Sequence, residues 1–168
     1  MGESGSDSLL LRKALSSQLE YPQWPPGYRC LALSEDLMHA AHGLLQLAGP
    51  TSDEPVAPLH TWARCFAQDP EFDLALCFIV LDEHGPVALA QGWTSAYLKE
   101  LVVHPRARRR GVGRRLLEHV FAHFAGRGEG YLDLRVLQGN NAARDLYASA
   151  GMYEVKRYSW KQPPAHTY

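Results

Sequence analysis

The sequence predicts an α/β fold in which a mixed central β-sheet of about six to seven strands is flanked by about four helices. Two observations lead to this prediction. Three apolar segments at 72–83, 87–95 and 97–103, separated only by short turn sequences, are typical of an antiparallel meander. After them, segments with strand character alternate with segments of helical spacing up to residue 162.

The first 27 residues are predicted to form an N-terminal extension. Residues 1–8 are rich in glycine and serine, so we expect them to be disordered. The next segment, SLLLRKALSSQLE, has helical spacing at Leu11, Ala14, Leu15 and Leu19, which indicates a short helix. YPQWPPG then breaks that helix. A single domain is predicted over 28–168.

The first part of this domain is predicted to contain one strand and two helices. YRCLAL, residues 28–33, has strand character, and Ser34 is placed to cap the helix that follows. Apolar residues mark one face of this helix, which Gly49-Pro50 ends; they are Leu37, Ala41, Leu44, Leu45 and Ala48. Residues 58–68 are predicted to form a second short helix. The meander follows, and its nearly continuous apolar runs predict burial on both sheet faces.

Charge is concentrated at one place in an otherwise acidic chain. The formal net charge is −1, but the 10-residue window 106–115 holds six arginines, and without them 11 basic residues face 18 acidic ones. A local anion site is therefore favoured over a broad polyanion-binding face. The cysteines form no CxxC pair, no apolar run is long enough to span a membrane, and the start does not resemble a signal peptide. We expect a cytoplasmic protein that binds neither membranes nor nucleic acid.

The arginine-rich stretch RARRRGVGRRLLEHVF, Arg106–Phe121, leads from a strand into a helix. Gly111 and Gly113 would let an anion approach the free backbone N–H groups at the helix start, and the arginines add charge. A P-loop is disfavoured because no lysine follows Gly113, and a dinucleotide fingerprint because Leu116 replaces its third glycine. An arginine-rich, solvated helix start remains the alternative.

Two separated motifs give the chain a resemblance to a known family. Arg108-Arg109-Arg110-Gly111-Val112-Gly113 fits [RQ]-x-x-G-x-[GA], and LVVHP precedes it. About thirty residues on, the pattern N-x-x-A-x-x-L-Y-x-x-x-G-[FM] is met by Asn140, Ala143, Leu146, Tyr147, Gly151 and Met152. Over roughly residues 28–160 the chain thus resembles the GCN5-related N-acetyltransferase (GNAT) family. Met152 stands where the family usually has phenylalanine, a difference that concerns packing.

The resemblance implies an enzyme that transfers the acetyl group of acetyl-CoA to an amine without a metal. The residues expected to bind acetyl-CoA are Leu101, Val102, Val103, Arg108, Arg109, Arg110, Gly111, Val112, Gly113, Arg114, Asn140, Ala143 and Tyr147. The resemblance makes Tyr147 the general acid that protonates the departing sulfur. An aromatic side chain that only packs its helix is the alternative for Tyr147. Asn140 could cap that helix, touch the cofactor, or both.

The acceptor side is less defined by the sequence. Glu100, the only acid in YLKELVV, is the candidate base or amine-binding residue, with a solvated or ion-paired glutamate as the alternative. Glu71 and Asp73 are more remote candidates. Trp93 and Tyr97 are the aromatic residues best placed to line an acceptor cleft. The expected acceptor is a small-molecule amine, and a homodimer is a tendency of the family.

Other functions remain open at this stage. The chain could be a catalytically inactive acyl-CoA-binding or regulatory domain, or it could acetylate protein N-termini or lysines. A nucleic-acid-binding module is disfavoured because no aromatic residues interleave with the arginines. His119 and His123 have the spacing of metal ligands, but a glutamate precedes the first histidine, so we expect both on a solvated helix face.

Overall fold

The computed structural model describes residues 7–48 and 55–159, which form seven strands and four α-helices. The strands are β1 (Ser8–Ala14), β2 (Arg29–Ala32), β3 (Phe72–Asp82), β4 (Gly85–Trp93), β5 (Tyr97–Val103), β6 (Tyr131–Leu137) and β7 (Tyr153–Tyr158). The helices are α1 (Met38–Ala48), α2 (Leu59–Gln68), α3 (Val112–Gly126) and α4 (Asn141–Ser149). The predicted disorder before residue 7, the helix end at Gly49-Pro50 and residues 160–162 of the last predicted strand lie outside the described residues.

All seven strands join one mixed sheet in the order β2-β3-β4-β5-β6-β1-β7. The predicted meander is present, since β3, β4 and β5 pair antiparallel in sequence order. β5 and β6 form the parallel pair, and β1 pairs antiparallel with β6 and with β7. The predicted fold class, a mixed sheet with helices on its faces, is confirmed.

The sheet separates two apolar layers. On one face, α1 and α2 pack through residues such as Leu44, Leu45 and Trp62 against Ile79 and Leu89 of the sheet. On the other face, α3 packs against the sheet in a second cluster that includes Leu76, Leu116, Val120 and Phe124. Both faces of the central strands are therefore covered, which explains the nearly continuous apolar runs of β3 and β4.

The predicted helix near the N-terminus is wrong, because Ser8–Ala14 form strand β1 inside the sheet. Leu9 and Leu11 are buried on the same face, opposite Val136 and Leu134 of β6. Arg12 lies opposite Asp133 and donates Nε and Nη2 to the two carboxylate oxygens at 2.8 and 2.9 Å. Because β1 pairs on both edges, its backbone N–H and C=O groups are hydrogen-bonded. This pairing favours a strand more than the helical spacing of the leucines favours a helix.

Two smaller predictions also need correction. Ser34 precedes a 3-10 turn, Glu35–Leu37, and its hydroxyl makes no capping hydrogen bond to that turn. His119 and His123 do not lie on a solvated face, because both rings pack edge-on against Phe78, with centroid distances of 4.6 and 4.9 Å. The Tyr21 hydroxyl is 3.2 Å from His123 Nδ1, so the N-terminal segment covers this side of α3.

Candidate active site

The site begins where strands β5 and β6 separate. The two strands pair only at Tyr97–Asp133 and Leu98–Leu134, and the ladder between β5 and β6 does not continue beyond these two pairs. The His104 N–H donates to Val87 of β4 at 2.7 Å, and successive N–H groups of a strand point to opposite edges. The N–H groups of Leu101 and Val103 therefore point into the gap between β5 and β6.

The N-terminus of α3 lies beside this gap. Gly111 is the N-cap, with a left-handed φ of 76° that favours glycine. The first hydrogen bond of the helix runs from the Arg115 N–H to the Gly111 carbonyl at 3.1 Å, which leaves the N–H groups of 111–114 without a partner in the helix. A Cβ at Gly113 would lie 3.3 Å from Val103 Cγ2, so this glycine allows α3 to approach β5.

Four of the six clustered arginines have defined partners. Arg106 forms an ion pair with Asp82 that lowers the pKa of this carboxyl to about 2. Arg108 Nε donates to the Val103 carbonyl at 3.2 Å, and Arg115 Nε donates to the Gln23 carbonyl at 3.2 Å. Arg114 donates to Glu118 Oε1 and to Ser149 Oγ, both at 2.9 Å. These four arginine side chains are therefore bound to other groups of the protein.

One cleft brings together eleven of the thirteen residues expected to bind acetyl-CoA. It has a volume of about 560 Å³ and is lined by Leu101, Val102, Val103, Arg108, Arg109, Gly111, Val112, Gly113, Arg114, Asn140 and Ala143, with Ala107, Ala142 and Leu146. Arg110 and Tyr147 do not line this cleft. Its elements are the splayed edge of β5 and the N-termini of α3 and α4.

Helix α4 supplies the other wall. Asn140 accepts a hydrogen bond from the Ala143 N–H at 3.2 Å, so it caps the helix while it also lines the cleft. Tyr147 lies two turns further along, buried, and lines a small cavity of about 70 Å³ that shares Leu101, Asn140 and Ala143 with the cleft. Burial, with the charges of Glu100 and Tyr97 adding to it, raises the pKa of Tyr147 to about 12. The phenol is therefore protonated at neutral pH, as an acid must be.

Glu100 lies on the opposite side of β5 from the cleft. A β-bulge shifts the register between the pairs Gln91–Glu100 and Gly92–Leu98. Leu98 and Leu101 consequently both pack on the α3 side, whereas Glu100 lines a cavity of about 170 Å³ on the side of α1 and α2. Glu71 and Asp73 do not line this cavity; Glu71 accepts from the Ser95 hydroxyl and Asp73 from the Ala75 N–H.

Two residues of this second cavity, Gln91 and Trp62, are not indicated as site residues by the sequence pattern. Trp62 Nε1 donates to Gln91 Oε1 at 3.3 Å, and both side chains are buried. A glutamine in the middle of the apolar run VALAQGW was the signal that could have found the first of them. Lys99 lines both this cavity and the small cavity of Tyr147, so the two are neighbours.

Trp93 and Tyr97 lie opposite each other on β4 and β5, with ring centroids 5.4 Å apart. Trp93 also packs 6.0 Å from Phe72, which lines the second cavity, but neither Trp93 nor Tyr97 lines it. Burial raises the pKa of Tyr97. Trp93 therefore packs against Phe72 in the cavity wall, and Tyr97 packs against Trp93.

Two further features of the described chain bear on its chemistry. Within 7–48 and 55–159, no three histidine, cysteine, aspartate or glutamate side chains come close enough to hold a metal ion. The longest helix over the same ranges is α3, with 15 residues, and none is both long and apolar enough to cross a membrane.

Comparison with known proteins agrees with this geometry. A model of the acetyltransferase (GNAT) domain matches residues 73–152, which include the meander, the arginine-glycine loop and α4. No curated protein matches the chain significantly in sequence.

Solved structures share the fold. The chain is similar to a GCN5-related N-acetyltransferase from Sphaerobacter thermophilus, with a TM-score of 0.77 and 22% identity, covering 91% of this chain and 50% of that one. The chain thus spans half the length of this relative. The ribosomal-protein-S18-alanine N-acetyltransferase from Escherichia coli has a TM-score of 0.63 and 29% identity, covering 77% and 79%. AAC(6′)-Iy, solved with the bisubstrate analog CoA-S-monomethyl-acetylneamine, has a TM-score of 0.65 and 15% identity, covering 82% and 99%.

Proposed function

Since the chain belongs to the GNAT family, we propose that it transfers the acetyl group of acetyl-CoA to a primary amine of a small molecule, by direct attack in a ternary complex. One observation carries this proposal: the cleft of about 560 Å³ joins an unpaired strand edge to a helix N-terminus with free N–H groups. An extended amide-containing chain fits the first feature and a pyrophosphate fits the second. Acetyl-CoA contains both groups.

The residues of the cleft fit the parts of this substrate. The N–H groups of 111–114 would bind the pyrophosphate, with Arg109 adding positive charge at the rim. The N–H of Val103, which lies next to the start of α3, would pair with an amide of the pantetheine arm. The N–H of Leu101, which lines the small cavity with Tyr147, would donate to the thioester oxygen, which gains negative charge during attack. Gly113 and Ala143 leave the room that a larger side chain would fill.

The transfer step uses groups on both sides of β5. The amine nitrogen forms a bond to the acetyl carbon, and the carbon–sulfur bond breaks. Tyr147 gives its proton to the sulfur, because a protonated thiol is a better leaving group than a thiolate. Glu100 takes the proton that the amine loses, directly or through water. Glu100 then releases its proton to solvent and Tyr147 takes one from solvent, so both groups are restored, and the products are the N-acetylated amine and CoA.

Acetylation of a peptide N-terminus is the second candidate. It is favoured by the 29% identity to the S18-alanine N-acetyltransferase, the highest among the three structures compared above. Cytoplasmic location and action without a metal remain part of the proposal.

Calorimetric titration with acetyl-CoA tests the cleft. We expect micromolar binding by the wild type and its loss in Gly111→Trp, because a Cβ there would lie 2.6 Å from Arg115 Nη1 and the left-handed φ would be strained, which would displace the helix start that presents the free N–H groups. Gly128→Trp is the matched control: Gly128 also has a left-handed φ, 85°, but lies past the other end of α3 and outside the cleft. Equal loss of binding in both variants would point to a general effect on folding, and retained binding in Gly111→Trp would refute the assignment.

A further inference from the structure

A buried glutamine lies beside Glu100 with amide donors that the fold does not use. Gln91 is 2% exposed and stands opposite Glu100 in the register of β4 and β5. Its Nε2 has no hydrogen-bond partner among the residues that the structure describes. A buried donor without a partner destabilises a protein, so its presence calls for a function.

The orientation of this amide is fixed by its neighbour. Trp62 Nε1 is 3.3 Å from the Gln91 amide, and an indole N–H can only donate a hydrogen bond. The amide oxygen must therefore face Trp62, which turns Nε2 the other way. Both residues line the cavity of about 170 Å³ together with Glu100. Nε2 itself is buried in the wall, so a small shift of the Gln91 side chain would bring its unpartnered N–H donors to a ligand in the cavity.

The remaining walls define the rest of the ligand. Apolar side chains line most of the cavity, among them Leu45, Val56, Trp62 and Phe72. Its charged residues are Glu100 and Lys99, and Lys99 also borders the small cavity next to Tyr147. An amine bound here would thus lie close to Lys99, which also borders the cavity of the proposed acid, with an apolar group behind it.

We propose that this cavity binds the acceptor through an α-aminoacyl group: a primary amine one carbon away from a carbonyl oxygen, with an apolar side chain. This rests on the acetyl transfer proposed above. The amine lies toward Glu100, the carbonyl oxygen accepts from Gln91 Nε2, and the side chain packs on Trp62 and Phe72. A simple alkylamine would leave the Gln91 donors unpaired, and a polyamine would bring a second cation near Lys99.

A matched pair of acceptors tests the role of Gln91. Leucinamide and isopentylamine share the amine and the apolar side chain, and only leucinamide has the carbonyl group. We expect the ratio of their kcat/KM values to favour leucinamide, and to fall about tenfold in Gln91→Met, which removes the donors and keeps the size. The different basicity of the two amines cancels when the ratio is compared between proteins. Gln68→Met, the same change at the exposed end of α2, should keep the wild-type ratio.

An unchanged ratio in Gln91→Met overturns the inference. If that variant does not fold, the wild-type ratio of kcat/KM for leucinamide to that for isopentylamine decides, with both concentrations counted as unprotonated amine. A ratio of about tenfold or more supports the inference, and a smaller ratio overturns it. The α-aminoacyl group could belong to a free amino acid or to a peptide N-terminus, and free leucine and the peptide Leu-Gly-Gly distinguish these two sources. Acetylation of either one that falls in Gln91→Met as it does for leucinamide supports the inference. If acetyl-CoA binds but leucinamide is not acetylated, the inference is wrong and the cleft assignment stands. If acetyl-CoA does not bind, the proposed function itself is wrong.

Discussion

Acid should destabilise this protein through one histidine of α3. The His119 ring packs 4.6 Å from Phe78 and 4.7 Å from Tyr21, measured between centroids. Burial, with a smaller contribution from the charge of His123, lowers the pKa of His119 from 6.5 to about 4. In the unfolded chain the same group has its ordinary pKa, so between pH 6.5 and about 4 the unfolded state binds more protons.

His119 therefore does not lower the free energy of unfolding above pH 6.5, where it is neutral in both states. It lowers this free energy progressively as the pH falls from 6.5 toward 4. Each pH unit in this window corresponds to 1.36 kcal/mol, which gives a loss of about 1–3 kcal/mol in the free energy of unfolding, the lower value allowing for the partial exposure of the ring.

Urea unfolding at pH 7.5, 6.0, 5.0 and 4.5 measures this loss. Other groups also titrate in this range, so the informative quantity is the difference between the wild type and His119→Gln. The variant should lose about 1–3 kcal/mol less between pH 7.5 and 4.5. His39→Gln, at an exposed position of α1, should behave as the wild type. The same pH dependence in His119→Gln and in the wild type would refute the reasoning.

Two further predictions concern packing and the proposed acid. A Cβ at Gly92 would lie 2.7 Å from the Leu76 carbonyl oxygen and 3.0 Å from the Phe124 ring, so Gly92→Ala should destabilise the fold by about 1–3 kcal/mol in urea unfolding. Gly43→Ala, in α1 with nothing within 4 Å of the new Cβ, should stabilise it by about 0.5–1 kcal/mol; effects of the same sign would contradict the packing argument. Tyr147→Phe should lower kcat by about 10- to 1000-fold without changing acetyl-CoA affinity, and an unchanged kcat would leave Tyr147 with packing alone.

Much of the fold was predictable because its signals are local. The bounds of β5 and β6 agree with the predicted 97–103 and 131–137, since turn residues and helix-starting sequences stand directly beside these strands. The motif around Gly111 was informative for the same reason: the left-handed N-cap depends on the residue itself. The spacing of Asn140, Ala143 and Tyr147 placed them on one side of a helix without any knowledge of the sheet.

Apart from the Ser34 cap, the errors and omissions depend on contacts between distant residues. Ser8–Ala14 have helical spacing, yet β1 exists because β6 and β7 offer two edges to pair with, more than 100 residues away along the chain. The sequence pattern puts His119 on a solvated helix face, but the rings of Phe78 and Tyr21, from distant segments, pack against it.

The absence of Gln91 from the predicted site residues has the same cause. A glutamine in a strand says nothing about its partner until the register places Glu100 opposite it and α2 brings in Trp62. The sequence by itself determined the strands of the meander, the helix after them and the cleft motifs, because these depend on neighbouring residues. Which groups face one another across the sheet was decided only by the tertiary structure, because burial and pairing are properties of surfaces that the chain brings together when it folds.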